Sequence, residues 1–218
     1  MQRIEGILFE PVGCLAEFPA DPFLEIASRV FHRRKKPSPS GSRSYWHVLN
    51  LMESADLAFD SADWQTIEAL EVQAVDSATL YEDVRPSLAE LQAMGLNLMI
   101  ASSLGDTAIK RFLEKFCLSG FVTCVSTRDH AHGIKITPLL SALGAAALEP
   151  ERTMFLTDTA EGLNVAMDVG VNAILMMNDP DESRRLALRE PAGGIVSLHE
   201  LPDFVRLVAA RNARLATG

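Results

Sequence analysis

Cysteine is scarce, with three residues, Cys14, Cys117 and Cys124, in 218. The number is odd and the spacing fits no metal motif, which argues against a disulfide framework and points to a reducing, cytoplasmic compartment. Tryptophan and tyrosine number two each; Trp46 and Trp64 fit helix packing and imply no stacking platform. Positive charge is in deficit, 20 Lys and Arg against 29 Asp and Glu, a formal charge of -9. That argues against a sequence-blind nucleic-acid binder, which needs a net-basic surface or stripe. No run reaches the ~18 apolar residues of a membrane span. The opening MQRIEGILFE carries Glu5 and Glu10 around a short apolar run and does not read as a secretory signal.

What is present is an ordinary globular composition, 48% hydrophobic and 22% charged, at a length that suits one domain or one domain with an insertion. The apolar run Ile4 to Phe9 reads as a first strand, stopped by Pro11 and Gly13. Helical spacing follows over Pro22 to Lys36, Ser44 to Phe59 and Ala62 to Ala74, with KPSPSGSRS breaking the first from the second. No strand-like run appears between Cys14 and Thr79. After Thr79 strands and helices alternate. The strands are LNLMIAS, FVTCVST, TMFLTD, VNAILMM and the short GGIVSL. Helices fall on VRPSLAELQAMG, Asp106 to Phe116, Pro138 to Ala147, Gly162 to Val169, Glu182 to Arg189 and from Pro202 onward. Apolar strands alternating with helices predict an α/β fold, a three-layer Rossmann-like and mostly parallel sheet covered on both faces. Residues 1–15 and 80–218 form its core, and residues 16–79 an inserted all-helical cap.

Ligands of such sheets sit beyond the carboxyl ends of the strands. Polar strand-end stretches occur at Glu10 to Gly13, Ser102 with Ser103, Lys135, and Thr157 to Thr159. An acid ending an apolar strand, as Glu10 and Asp158 do, is hard to place in a core.

These stretches resemble the haloacid dehalogenase-like superfamily, in its phosphoglycolate phosphatase and phosphoglucomutase-like branch with a small helical cap. ILFEPVGCL resembles the first motif, a strand followed by Asp-x-Asp-Gly-Thr-Leu. LMIASSLGD resembles the second, Lys135 in GIKITP the third, and TMFLTDTAEGLNVAMDVGVNAI the fourth. The resemblance implies a magnesium-dependent phosphomonoester hydrolase. In that chemistry the first Asp attacks phosphorus and the second handles the proton. Magnesium is held by the first Asp, the carbonyl of the second and the fourth-motif Asp. By that correspondence Glu10 stands at the nucleophile, Val12 at the acid/base, and Ser102, Lys135 and Gly13 at the phosphate. The Mg2+ ligands would be Glu10, the Val12 carbonyl and Asp158.

The first motif departs from the pattern. Glu10 keeps the charge of Asp but sets its oxygens about 1.5 Å farther out, one carbon–carbon bond. Val12 can neither give nor take a proton. The sequence therefore predicts weak or altered phosphatase activity. Its alternative is an inactive relative that binds a phosphorylated small molecule or a protein partner, with a homo-oligomer also open. Two carboxylates repel a phosphate, so metal and anion would bind together; equally, Lys135 can close an ion pair on Glu10 or Asp158 in an empty site. Dehalogenation is disfavoured, since the resemblance ties it too to an Asp nucleophile.

Other features carry less. The basic cluster His32 to Lys36 suits a helix carboxyl end, where cations complement the dipole, and could alternatively face an anionic ligand. His130 and His132 lack a third metal ligand. Cys14 reads as a small residue filling a threonine's space.

Overall fold

The structure, a computed structural model, describes residues 3–19, 21–33, 61–131 and 136–216. Its centre is a six-stranded, wholly parallel sheet in the order β5-β4-β1-β6-β7-β8. The strands are β1 (Gly6–Phe9), β4 (Asn97–Ser102), β5 (Cys124–Thr127), β6 (Thr153–Thr157), β7 (Asn172–Met176) and β8 (Gly193–Ile195). β2 (Ala16–Glu17) and β3 (Thr79–Leu80) pair separately as an antiparallel ribbon. Helices are α1 (Leu24–Arg33), α2 (Ser61–Ser77), α3 (Val84–Ala93), α4 (Asp106–Lys115), α5 (Ile136–Ala146), α6 (Ala160–Val169), α7 (Pro180–Ala187) and α8 (Leu201–Ala216).

The parallel strands read as continuous apolar runs because both sheet faces are covered. All four residues of β1 are buried. Alternation then sorts their side chains. Ile7 and Phe9 join Leu98, Ile100, Met154 and Leu156 on one face, while Leu8, Met99, Ala101 and Phe155 pack on the other with α5 and α6. The first of these clusters runs on without a break into Phe23, Ile26, Ile67, Ala74 and Val75. The inserted helices thus share a hydrophobic core with the sheet.

Several boundaries differ from the sequence expectation. The β2–β3 ribbon falls where no strand was predicted at Ala16 and Glu17, since two residues carry no periodic signal. β5 is shorter than FVTCVST because Phe121 and Val122 turn to pack on the main cluster ahead of the strand. α6 starts at Ala160 rather than Gly162, with the Thr159 hydroxyl capping it by accepting from the Gly162 amide at 3.0 Å. α7 starts at Pro180, capped by the Asp179 carboxylate accepting from the amides of Asp181 and Glu182. The expected helix Ser44 to Phe59 and Trp46 lie outside the described residues.

A charged contact also joins the inserted helix α2 to the sheet. Glu71 and Arg128 form an ion pair with side chains 0% and 4% exposed. The second Glu71 oxygen accepts from the Gly105 amide at 3.1 Å, and Arg128 donates to the Ser103 carbonyl at 2.9 Å. Removing one member strands the other in a low-dielectric interior, whereas replacing both by apolar residues of similar volume often costs little. Glu71→Ala or Arg128→Ala is expected to lower the unfolding free energy by ~3–5 kcal/mol, measured by urea denaturation. Glu71→Leu with Arg128→Met is expected to lose less than either single change.

Candidate functional site

β1 lies between β4 and β6; the chain steps outward from β1 to β4 and β5 and then crosses back to β6 on the other side of β1, which makes the carboxyl end of β1 the switch point of the sheet. Three chain segments meet there: Glu10 to Cys14 after β1, Ser102 to Gly105 after β4, and Thr157 to Thr159 after β6. The register sets Phe9 beside Ile100 on one side and Leu156 on the other, so the three strand ends come level.

Glu10 is buried, 7% exposed. Its Oε1 accepts from the Ser102 hydroxyl at 2.8 Å and its Oε2 from the Ser103 amide at 3.2 Å. Burial nevertheless dominates, and the Glu10 carboxyl is pushed up to about 8; hydrogen bonding pulls the other way, and the Asp158 charge adds a smaller upward push. Ser102 Oγ in turn accepts from the Leu104 amide at 3.2 Å, which orients its proton toward Glu10.

The turn after β1 depends on Gly13. Its φ of 76° lies in the left-handed region, and a Cβ there would stand 2.0 Å from Asp158 Oδ2. The glycine therefore lets the backbone approach Asp158. Asn178, just past β7, fastens both: its Nδ2 donates to the Gly13 carbonyl at 2.6 Å and to Asp158 Oδ2 at 3.4 Å. A second close approach lies beneath. Thr157 fills the space where a Cβ on Gly162 would fall, 2.0 Å from Thr157 Oγ1. Cys14 is fully buried, and burial together with Asp158 and Glu10 raises its thiol well above the usual range. A thiol held protonated is not a nucleophile. Tyr81, whose amide donates to the Leu15 carbonyl at 3.1 Å, has its phenol pushed up to about 12 by burial and the Asp158 charge.

The structure thus brings Glu10, Val12, Gly13, Ser102 and Asp158 together. Lys135 and His132 lie outside the described residues, as do residues 34–36 of the basic cluster. His130 instead turns to Asp106, at 2.9 Å, at the start of α4. The sequence reading missed Asn178, Tyr81, Glu71 and Arg128. Asn178 had a signal, since it follows an apolar strand as Asp158 does. Arg128 and Glu71 had none, being 57 residues apart and charged.

Magnesium takes hard oxygen ligands in a near-octahedral shell, and Asp158 and the Val12 carbonyl are chemically suitable. The arrangement does not complete the shell. Both Glu10 oxygens are turned to protein donors. Among the described residues no group of three or more His, Cys, Asp or Glu side chains could hold an ion. No described helix is long and apolar enough to cross a membrane.

Comparison with known proteins gives a consistent picture. Residues 23–176 match the family model of haloacid dehalogenase-like hydrolases. A haloacid dehalogenase-like family hydrolase from Streptococcus pneumoniae superposes with a TM-score of 0.72 at 18% identity, covering 94% of this chain and 99% of its own. A phosphatase of the same superfamily from Thermococcus onnurineus gives 0.66 at 18%, covering 93% and 98%. CbbY from Rhodobacter sphaeroides, solved with phosphate, gives 0.69 at 17%, covering 91% and 96%. In sequence, the tyrosine-protein kinase PtkA of Mycobacterium tuberculosis is 24% identical over 100 residues, 45% of this chain; the match spans 34% of the kinase's length.

Two outcomes test this geometry. Gly13→Ala is expected to destabilise the fold by more than ~1 kcal/mol, since both the left-handed φ and the Asp158 contact oppose it; a variant as stable as the parent would refute the close approach. The second is a pH dependence. The unfolded chain loses the Glu10 proton near 4.5 and the folded chain near 8. Between those values the folded state holds the extra proton, so stability is full below the window and falls as pH rises through it. The slope is at most ~1.4 kcal/mol per pH unit. Unfolding free energy is expected to fall more steeply over this window in the parent than in Glu10→Gln; equal slopes would refute the assignment.

Proposed function

The chain belongs to the haloacid dehalogenase-like hydrolase family, and on that premise we propose that it is a phosphatase-type scaffold in which turnover has been suppressed. The observation that carries this reading is the state of Glu10. The carboxyl group at the nucleophile position is held sideways by the Ser102 hydroxyl and the Ser103 amide. In-line attack on phosphorus requires it free and aimed at the reacting atom.

The magnitudes favour silence over slow catalysis. Misplacing a reacting group by 1 Å costs ~100-fold. Removing a positioned acid/base costs ~10²–10⁴-fold, and Val12 offers no side-chain proton. Together these come to ~10⁴–10⁶-fold, allowing that such effects do not simply add. The role left to the site is binding of a phosphorylated small molecule or of a protein partner.

A second reading, a slow magnesium-dependent phosphomonoester hydrolase, has one observation in its favour. Ser102, the Gly13 turn and Asp158 stand together with hard oxygens facing the same strand ends. In that reading Asp158 and the Val12 carbonyl hold magnesium, Lys135 and Ser102 hold the phosphoryl oxygens, and Glu10 swings out of its hydrogen bonds.

Phosphate release from a panel of phosphomonoesters, with and without magnesium, separates the two. Wild type is expected to match Glu10→Ala. The double change Glu10→Asp with Val12→Asp is expected to raise release above both. Magnesium-dependent release by wild type above Glu10→Ala would establish the slow hydrolase instead.

A further inference from the structure

The hydrogen bonds around Glu10 describe a cradle with an occupant. Two donors converge on one buried carboxyl group, Ser102 Oγ at 2.8 Å and Ser103 N at 3.2 Å. One is a backbone amide, whose direction is fixed at the end of β4. The other, a hydroxyl, is oriented by the Leu104 amide. Converging donors of fixed direction in a water-poor site are the general recipe for holding an oxyanion.

The length of the glutamate arm makes this possible. Neighbouring strands lie about 4.8 Å apart, and Glu10 begins at the end of β1 while Ser102 and Ser103 end β4. An aspartate at the same backbone position would fall short by about 1.5 Å. The extra methylene spans that gap.

We propose that Glu10 is an internal ligand, its carboxyl group filling an oxyanion seat made by Ser102 Oγ and Ser103 N, and that the seat takes small free oxyanions only when this side chain is withdrawn or shortened. The inference rests on the reading of the site as silenced and states how it is silenced: the position that would attack a phosphoryl group covers the donors that would hold one. It applies to compact oxyanions such as inorganic phosphate and acetate. It also implies that any natural ligand of the resting site meets Asp158, Asn178 and Tyr81 rather than these donors.

The test is binding of inorganic phosphate and of acetate by calorimetry, near neutral pH and without added metal. Wild type and Glu10→Gln, whose side chains both fill the seat, are expected to show no saturable binding at millimolar concentrations. Glu10→Ala is expected to bind at least roughly tenfold tighter than either. Adding Ser102→Ala to Glu10→Ala is expected to reverse most of that gain. Circular dichroism confirms that each variant is folded. Should Glu10→Ala not fold, Glu10→Asp, which keeps a carboxyl group on a shorter arm, is expected to bind phosphate more tightly than wild type. The proposal is overturned if wild type binds as tightly as the shortened variants. It is overturned equally if folded Glu10→Ala or Glu10→Asp binds no anion, or if Glu10→Gln binds as Glu10→Ala does. These outcomes are independent of phosphate release. Turnover by wild type would overturn the silenced reading even with an anion seat uncovered in Glu10→Ala, and an absent seat would leave a wild type without turnover unaffected.

Discussion

Burying one carboxyl group where three parallel strands end governs the rest of this site. A carboxyl taken out of water must find donors or a proton, and Glu10 has both: two hydrogen bonds and a titration point pushed up to about 8. The donors come from the end of β4, so the turn after β1 and the loop after β4 are held against each other through a side chain. Neighbouring groups respond to the same enclosure. Cys14 is kept as a thiol and Tyr81 as a phenol, each by burial first and by the nearby acids second. Asn178 then ties the Gly13 carbonyl to Asp158 from the next strand over.

The inserted helices are part of this arrangement. Arg128 donates to the Ser103 carbonyl, and Ser103 presents its own amide to Glu10. Glu71 of α2 holds Arg128 and also the Gly105 amide that opens α4. A chain of contacts therefore runs from the insertion to the carboxyl group at the strand ends. The apolar cluster shared by α1, α2 and the sheet runs alongside it. Displacing α2 would expose both an ion pair and a hydrophobic surface, so the position of the insertion and the shape of the site are energetically linked.

Much of the fold was legible because burial on both faces leaves a plain mark. β1, β4, β6 and β7 are apolar throughout, and the polar residues that end β1, β4 and β6 were readable as a site for the same reason. The β2–β3 ribbon was not legible, since two residues a strand give no period. Neither was the joint between α2 and the sheet. Asp63 and Glu71 are buried charges on α2, and a buried face that carries acids looks like a solvated one until its partners, Arg29 and Arg128, are seen across 34 and 57 residues. For Glu10 the residue was legible but its consequence was not. An arm one methylene too long reads as a misplaced nucleophile; only the neighbouring strand shows where the extra reach goes.

That reach bears on how the departures from the family pattern should be understood. A site decaying without constraint would leave buried polar atoms without partners, because each substitution would remove a contact and supply none. Here the substituted residues are fitted. Glu10 reaches donors that a shorter acid would miss, and each of its oxygens has one. Beside them, Thr157 takes up the space left by Gly162, and its hydroxyl lies 3.2 Å from that of Thr159, which caps α6. Val12 is buried in the main apolar cluster. Local chemistry, packing and hydrogen bonding all agree on this closed arrangement, and agreement across levels is the mark of a structure that its sequence specifies. The altered first motif is therefore a coherent packing solution in its own right.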